Sequence, residues 1–295
     1  MISVIIPTYN GAKLLLKYSL PSLLRQNYPD WEALIIDDGS TDNSADLINN
    51  FIKCDQRFKL IEQKNNLGLA AALNLGVKEA SGDYIAILEH DDIWLSDKLS
   101  RQVKVMAEGA KISSCQAIVY NQTKQSFDKI NGGNFSCLIF NRLVTPSIFP
   151  LPEENKKYLG IEDGLLAARL AILKGEGQIN NQESRHIAEI LTIMNSSAAT
   201  LSGLKDSLIM KARYKNALDL FLVARGKYSE LDALILFWKK HYYYNLLLSL
   251  LPDFIKKIIY SLIDKLKTIK NRRSLSTFRQ TEEYQKLKNY RALFD

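Results

Sequence analysis

Residues Tyr84–Trp94 read YIAILEHDDIW, in which five apolar residues run straight into Glu89-His90-Asp91-Asp92. A short apolar run closed by polar residues predicts a buried strand with the acidic turn at its carboxyl end. Three carboxylates within four residues repel one another, and they cost stability if buried without partners. A hard cation such as Mg²⁺ or Mn²⁺ removes that cost, because it chooses carboxylate oxygens and usually arrives with substrate phosphates. A solvated acidic turn after a strand is the plainer alternative, and the stretch alone leaves both open.

Upstream, strand-like and helix-like segments alternate. ISVIIP (2–7) reads as a buried strand closed by Pro7, and AKLLLKYSLPSLLRQ (12–26) as a helix kinked at Pro21. WEALIID (31–37) is a second strand that ends in Asp37-Asp38-Gly39-Ser40. SADLINNFI (44–52) is helical, FKLIEQ (58–63) a short strand, and GLAAALNLGVKEA (68–80) a helix closed by Ser81-Gly82. This order predicts an α/β fold, a mainly parallel Rossmann-like sheet with crossover helices. Ligands of such sheets bind at the carboxyl ends of the strands. Thr8-Tyr9-Asn10, Asp37-Asp38 and Glu89–Asp92 all fall there, on one rim. Downstream, DKLSRQVKVMAEG (97–109) predicts a helix, and ISSCQAIVYN (112–121) and NFSCLIFN (134–141) predict strands. IEDGLLAARLAILKG (161–175) predicts an amphipathic helix with Glu162 and Asp163 in its first turn, and HIAEILTIM (186–194) a last strand.

Composition bounds the class. The 295 residues are 46% hydrophobic and 24% charged, enough for a real core. Cys54, Cys115 and Cys137 form no CxxC pair, which disfavours a disulfide framework or zinc knuckle and fits a reducing cytosol. MISVIIPTYN lacks the basic start of a signal peptide, and no run of roughly 18 apolar residues predicts a membrane span. The net charge of +7 is unevenly placed: from Lys205 onward 19 basic and 9 acidic residues give +10, leaving −3 before it. A boundary follows between residues 1–204 and a basic helical region, 205–295. GxGxxG after a strand, GxxxxGK[ST] and GxSxG are all absent, which disfavours dehydrogenases, P-loop proteins and hydrolases.

SVIIPTYNG, LIIDDGSTDNS, NLGLAAALNLGVKEASGDYIAILEHDD and GIEDGLLAARL follow one another between residues 2 and 170. Together they resemble the family 2 inverting glycosyltransferases of the GT-A fold. The resemblance implies a nucleoside site at Thr8, Tyr9 and Asn10, where a tyrosine face can stack on a base. It places Asp38 as acceptor of a uracil imide hydrogen, a role an ionised carboxylate suits. Asp37 orients the loop or shares that role. EHDD stands where the family has a DxD motif, with Glu89 replacing the first aspartate and His90 in the middle. Asp91 is then the ligand of Mg²⁺ or Mn²⁺ on the donor diphosphate, with Glu89 on ribose or metal and Asp92 supporting the metal site. Asn74 belongs to the donor-binding set, but Leu73 precedes it where many relatives have arginine, which leaves Lys64 or Arg169 for the diphosphate. Asp163 matches the general base that takes the acceptor hydroxyl's proton. A first helical turn favours acidic residues anyway. LTIMNSSAATL (191–201) offers neither the Arg nor the His that relatives often place there, and His186 reads as a surface or satisfied histidine.

In PDFIKKIIYSLIDKLKTIK (252–270), Phe254, Ile255, Ile258, Ile259, Leu262, Ile263, Leu266 and Ile269 recur at helical period between flanking lysines. Such a helix lies in a membrane interface or packs its stripe on the catalytic domain, and suits lipid better than nucleic acid. The expected activity is a metal-dependent transfer from a nucleotide-sugar, a UDP-sugar, to a glycan or lipid-linked acceptor. The expected place is the cytoplasm, peripheral at the inner face of the membrane. A nucleotidyltransferase or a non-catalytic scaffold with the same fold are the alternatives. PTYNGAK lacks the basic, glycine-rich first turn of the former, whereas the Glu89 and Leu73 departures leave room for the latter.

Overall fold

The computed structural model describes residues 1–122, 126–132, 134–151, 166, 169–170, 173 and 177–196. Four parallel strands form one half of the sheet: β1 (Ile2–Thr8), β2 (Trp31–Asp37), β3 (Phe58–Glu62) and β4 (Tyr84–Ile87). They lie in the order β3-β2-β1-β4, with Thr8 paired to Asp37 and Ile5 to Ile87. The chain builds outward from β1 to β3 and then returns to the other side of β1. The switch point therefore lies between β1 and β4, where such sheets open a crevice for ligands.

Alternation along the strands makes the core double-sided. Ile2, Val4 and Ile6 of β1 and Ala33 and Ile35 of β2 pack on one layer. That layer includes α2 (Leu20–Leu24), α3 (Ser44–Ile52) and α5 (Lys98–Ala107). Ile5, Leu34 and Ile36 face the other way, toward α4 (Leu69–Glu79). A strand buried on both faces reads as a continuous apolar run, which is why ISVII and ALII show no polar alternation. Helix α4 sits very close to the sheet. A Cβ added at Gly76 would lie 2.4 Å from Ile5 Cγ2, so only glycine fits at that contact.

The second half is mixed. β8 (Leu138–Asn141) pairs antiparallel with β4 and with β6 (Ile112–Asn121). β9 (Ser184–Ser196) runs parallel to β6 and antiparallel to β5 (Ile93–Trp94), and β7 (Ser126–Gly132) pairs with β6.

Most predicted elements stand within a residue or two of their expected bounds. The predicted kinked helix is broken more thoroughly. α1 (Ala12–Leu14) passes into a π-helical turn, Leu15–Ser19, before α2 begins. Pro21 cannot donate to Lys17, and its ring would clash with that carbonyl, so the wider turn ahead of it relieves the conflict. β5 is two residues long and β7 is polar, so neither carried a period to read. The strand predicted over 134–141 starts with a 3₁₀ turn, Phe135–Cys137. Leu166, Arg169, Leu170 and Leu173 are helical, as their spacing predicts. Asp163 and the region 205–295 lie outside the described residues.

Candidate active site

The loops after β1 and β2 are knitted together by side chains. Asn10 takes a left-handed conformation, φ 49°, which asparagine tolerates better than most residues. Its Oδ1 accepts from the Thr41 and Asp42 N–H groups at 2.8 and 3.3 Å, and its own N–H donates to Ser40 Oγ at 2.8 Å. Ser40 in turn donates to Asp37 through both its N–H and its hydroxyl. Asn10, expected at the nucleoside, is thus engaged in shaping the loops, and Asp37 orients its loop, one of the two roles left open for it. Tyr9 is 43% exposed on the rim, free to offer a ring face.

Asp38 has a separate task. Its Oδ1 accepts from Gln63 Nε2 and the Leu67 N–H at 2.9 and 2.8 Å, and its Oδ2 from the Gly68 N–H at 2.8 Å. Three of about four lone-pair positions are used, leaving one on Oδ2 for a ligand donor. Burial pushes this carboxyl up; the Leu67 and Gly68 N–H groups pull it back and the Asp37 charge adds to the rise.

At the switch point the acidic turn meets the β1 loop. A Cβ added at Gly11 would lie 2.7 Å from Thr8 Oγ1 and 2.9 Å from the His90 ring, so glycine lets the two loops close on each other. Thr8 Oγ1 is buried without a hydrogen-bond partner. The Glu89 N–H donates to Ser136 Oγ at 3.0 Å, and the Ser19 hydroxyl donates to the Glu89 carbonyl at 3.0 Å.

The three carboxylates differ in what holds them. Asp92 is 3% exposed, with Oδ1 accepting from the Asn195 N–H and Oδ2 from Asn134 Nδ2, each at 3.2 Å. Burial pushes it well up, the Asp91 charge adds, and Ser136, Asn195 and Asn134 oppose. Asp92 thus braces the turn from below, in a supporting place rather than that of an open ligand. Glu89 Oε2 accepts from the same Asn134 Nδ2 at 3.0 Å. Asp91 is half-buried, and burial pushes it up against the charge of His90 and its own N–H. A divalent cation fits this donor set: a desolvated Asp91 carboxylate with Glu89 close in sequence supplies one or two protein oxygens. No three His, Cys, Asp or Glu side chains converge among the described residues. That is the pattern for an ion which completes its shell with substrate phosphates and water.

Two candidates are drawn elsewhere. The Asn74 carboxamide donates to the Leu151 carbonyl and accepts from its N–H, at 2.8 and 2.7 Å, pinning that segment to α4. Arg169 donates to the Ile148 and Pro150 carbonyls, so it is not held out toward a diphosphate. Lys64 remains exposed beside Gln63. His186 Nδ1 pairs with Ser114 Oγ at 2.9 Å, a satisfied surface histidine.

Sequence reasoning missed Gly11, Ser136, Asn134 and Asn195. Asn134 and Asn195 stand 42 and 103 residues from Asp92, and nothing in their local context marks them. Both are buried, and Asn134 Oδ1 and both polar atoms of the Asn195 carboxamide have no hydrogen-bond partner. Each such buried group costs about 1–3 kcal/mol.

Comparison with known proteins gives a consistent picture. The family model described as glycosyl transferase family 2 matches residues 3–156. The UDP-Glc:alpha-D-GlcNAc-diphosphoundecaprenol beta-1,3-glucosyltransferase WfgD of Escherichia coli is 31% identical over 177 residues, 54% of this chain and 68% of that one. The chain spans only 22–43% of the length of curated relatives matched at 37–45% identity. Among solved structures, Staphylococcus aureus TarS 1-349 in complex with UDP aligns with a TM-score of 0.59 at 16% identity, over 82% of this chain and 71% of that one. The mannosyltransferase PcManGT of Pyrobaculum calidifontis, in complex with GDP-Man and Mn²⁺, aligns at 0.57 and 17%, over 99% and 84%. At such identities the structures speak for the fold.

Proposed function

Because the chain belongs to glycosyl transferase family 2, we propose that it moves a sugar from a UDP-sugar to a hydroxyl of a glycan or lipid-linked acceptor, inverting the anomeric centre. One observation carries the reading: the nucleoside-side loops and the acidic turn close on each other over Gly11, at the switch point of a parallel sheet. The UDP-glucose and lipid-diphosphate acceptor in the WfgD name support the substrate class. The Mn²⁺ of the archaeal mannosyltransferase supports a divalent ion.

In this reading Tyr9 offers its ring to the base, and the open position on Asp38 Oδ2 accepts the imide hydrogen. Asp91, with Glu89, holds Mg²⁺ or Mn²⁺, whose charge when bound offsets that of the departing diphosphate, so no acid is needed there. Asp92, Asn134 and Ser136 keep the turn in shape and dry below. Asp163 takes the proton as the acceptor oxygen bonds to the anomeric carbon and the bond to the diphosphate breaks. Among the described residues no helix is long and apolar enough to cross a membrane. The basic 205–295 region would supply a peripheral contact with the inner face.

The test is a panel of nucleotide sugars with Mn²⁺, read as donor hydrolysis. One UDP-sugar should be turned over far faster than the rest. Asp163→Asn should bind UDP as wild type does and lose roughly 10²-fold or more in turnover. No hydrolysis of any donor would leave a non-catalytic scaffold, and an Asn variant with full turnover would remove Asp163 as the base.

A further inference from the structure

The Asn195 carboxamide is 3% exposed and has no partner at either Oδ1 or Nδ2. It sits near the end of β9, where the Asn195 N–H donates to Asp92 Oδ1 at 3.2 Å. β9 pairs antiparallel with β5, Ile93 to Ile193 and Trp94 to Thr192, and Asn195 lies just past that pairing, beside the turn that holds Asp92. On the other oxygen of Asp92, Asn134 spends its amide hydrogens on Asp92 and Glu89, and its Oδ1 is left buried and unpartnered. Asp92 thus carries one asparagine on each side, and three unpaired polar atoms belong to that pair.

What would pair them is limited by chemistry. A metal ion takes Oδ1 of Asn195 and leaves Nδ2 bare. A phosphate oxygen accepts from Nδ2 and leaves Oδ1 bare. A neutral group that both donates and accepts satisfies both ends; a water does so, and so do the hydroxyls or acetamido group of a sugar, which would displace it. We propose that Asn195, seconded by Asn134 Oδ1, binds the transferred sugar and selects it by its hydroxyl or acetamido pattern. The inference rests on the donor-site reading above. It also accounts for why a strand end tolerates an unpaired buried amide, since a site built to hydrogen-bond a substrate rejects analogues that leave its groups unpaired.

The experiment compares the full chain with Asn195→Leu, a near-isosteric apolar change, and with Asn195→Ala. Calorimetry with Mn²⁺ measures Kd for UDP and GDP, and for UDP-glucose, UDP-galactose, UDP-N-acetylglucosamine and GDP-mannose. The free nucleotide should bind wild type and variants within about twofold. For at least one sugar, the ratio of its Kd to that of the bare nucleotide should worsen in the variants by about tenfold, the effect of one lost bidentate pairing. Ligand-free Tm should stay equal or rise, because the variants remove a buried group that nothing satisfied. A ratio unchanged for every sugar, or a Tm several degrees lower, overturns the inference and makes Asn195 a packing residue. A wild type that binds neither UDP nor GDP defeats the donor-site reading itself, a result the variants cannot produce.

Discussion

Asp91 and Asp92 are neighbours in sequence with opposite duties. Asp92 is buried and accepts one hydrogen bond on each oxygen, from the Asn195 N–H and from Asn134 Nδ2, whereas Asp91 lies half-buried in the turn with a carboxyl that burial pushes up. Asp91→Ala should therefore abolish Mn²⁺-dependent UDP binding and leave the melting transition in place; undiminished Mn²⁺-dependent affinity in the folded variant would remove the metal assignment. A second residue-scale prediction concerns Lys98, fully buried in α5 beside Trp94. Its Nζ donates to Gln102 Oε1 at 2.6 Å and lies 4.0 Å from the Trp94 ring centroid, and burial lowers its pKa to about 8. The Cys137 hydrogen bond, against burial and with help from the Lys98 charge, holds Cys115 at about 7. Both groups have a lower pKa in the fold than in the unfolded chain. The unfolded chain therefore binds more protons from about pH 7 to pH 10, and stability rises with pH there. Below that window the Lys98 penalty is complete and the Cys115 contribution is gone. Urea unfolding should show a gain of the order of 1–3 kcal/mol across the window, absent from a Lys98→Met/Cys115→Ala chain.

Helix α4 shows how an element is placed by one contact. Its sequence, with Ala70, Ala71, Ala72 and Leu73 buried, predicts a helix on the sheet, but not how close it comes. Gly76 sets that distance, because Ile5 is fully buried and cannot give way to a Cβ at 2.4 Å. Gly76→Ala gains up to about 1 kcal/mol in helix propensity and should still lose roughly 1–3 kcal/mol from overpacking. A lower urea midpoint with an unchanged slope is the expected result; a more stable variant would show that the helix can back away. The parallel strands and α3, α4 and α5 were legible because apolar periodicity is a local property of the chain. The breaks were not: the 3₁₀ turn at Phe135–Cys137 and the two-residue β5 carry no period of their own, and Pro21 marked a kink without showing that a π turn would relieve it.

At the scale of the whole chain, charge separates two parts, −3 before Lys205 and +10 from it onward. If the stripe from Phe254 to Ile269 lies on lipid, its lysines reach anionic head groups, each worth about 1 kcal/mol, and salt should loosen them. Liposome flotation at low salt should carry the wild type up, and a chain with Lys256, Lys257, Lys265 and Lys267 changed to Glu should stay down. Equal flotation of both would make the stripe a packing surface. The sequence by itself determined the α/β class, the rim on which Thr8, Asp38 and Asp91 stand, and the family, because strand ends and their acidic punctuation are written locally. Only the tertiary structure decided what those residues have left to offer. Asn10, Asp92, Asn74 and Arg169 are chemically apt for a ligand, yet hydrogen bonds with other segments engage them in holding the protein together, and Asp37 is held by Ser40 in its own loop. Asn195 has the reverse history: it looks ordinary in LTIMNSSAATL, and it stands out because it is buried and no protein group pairs with its carboxamide.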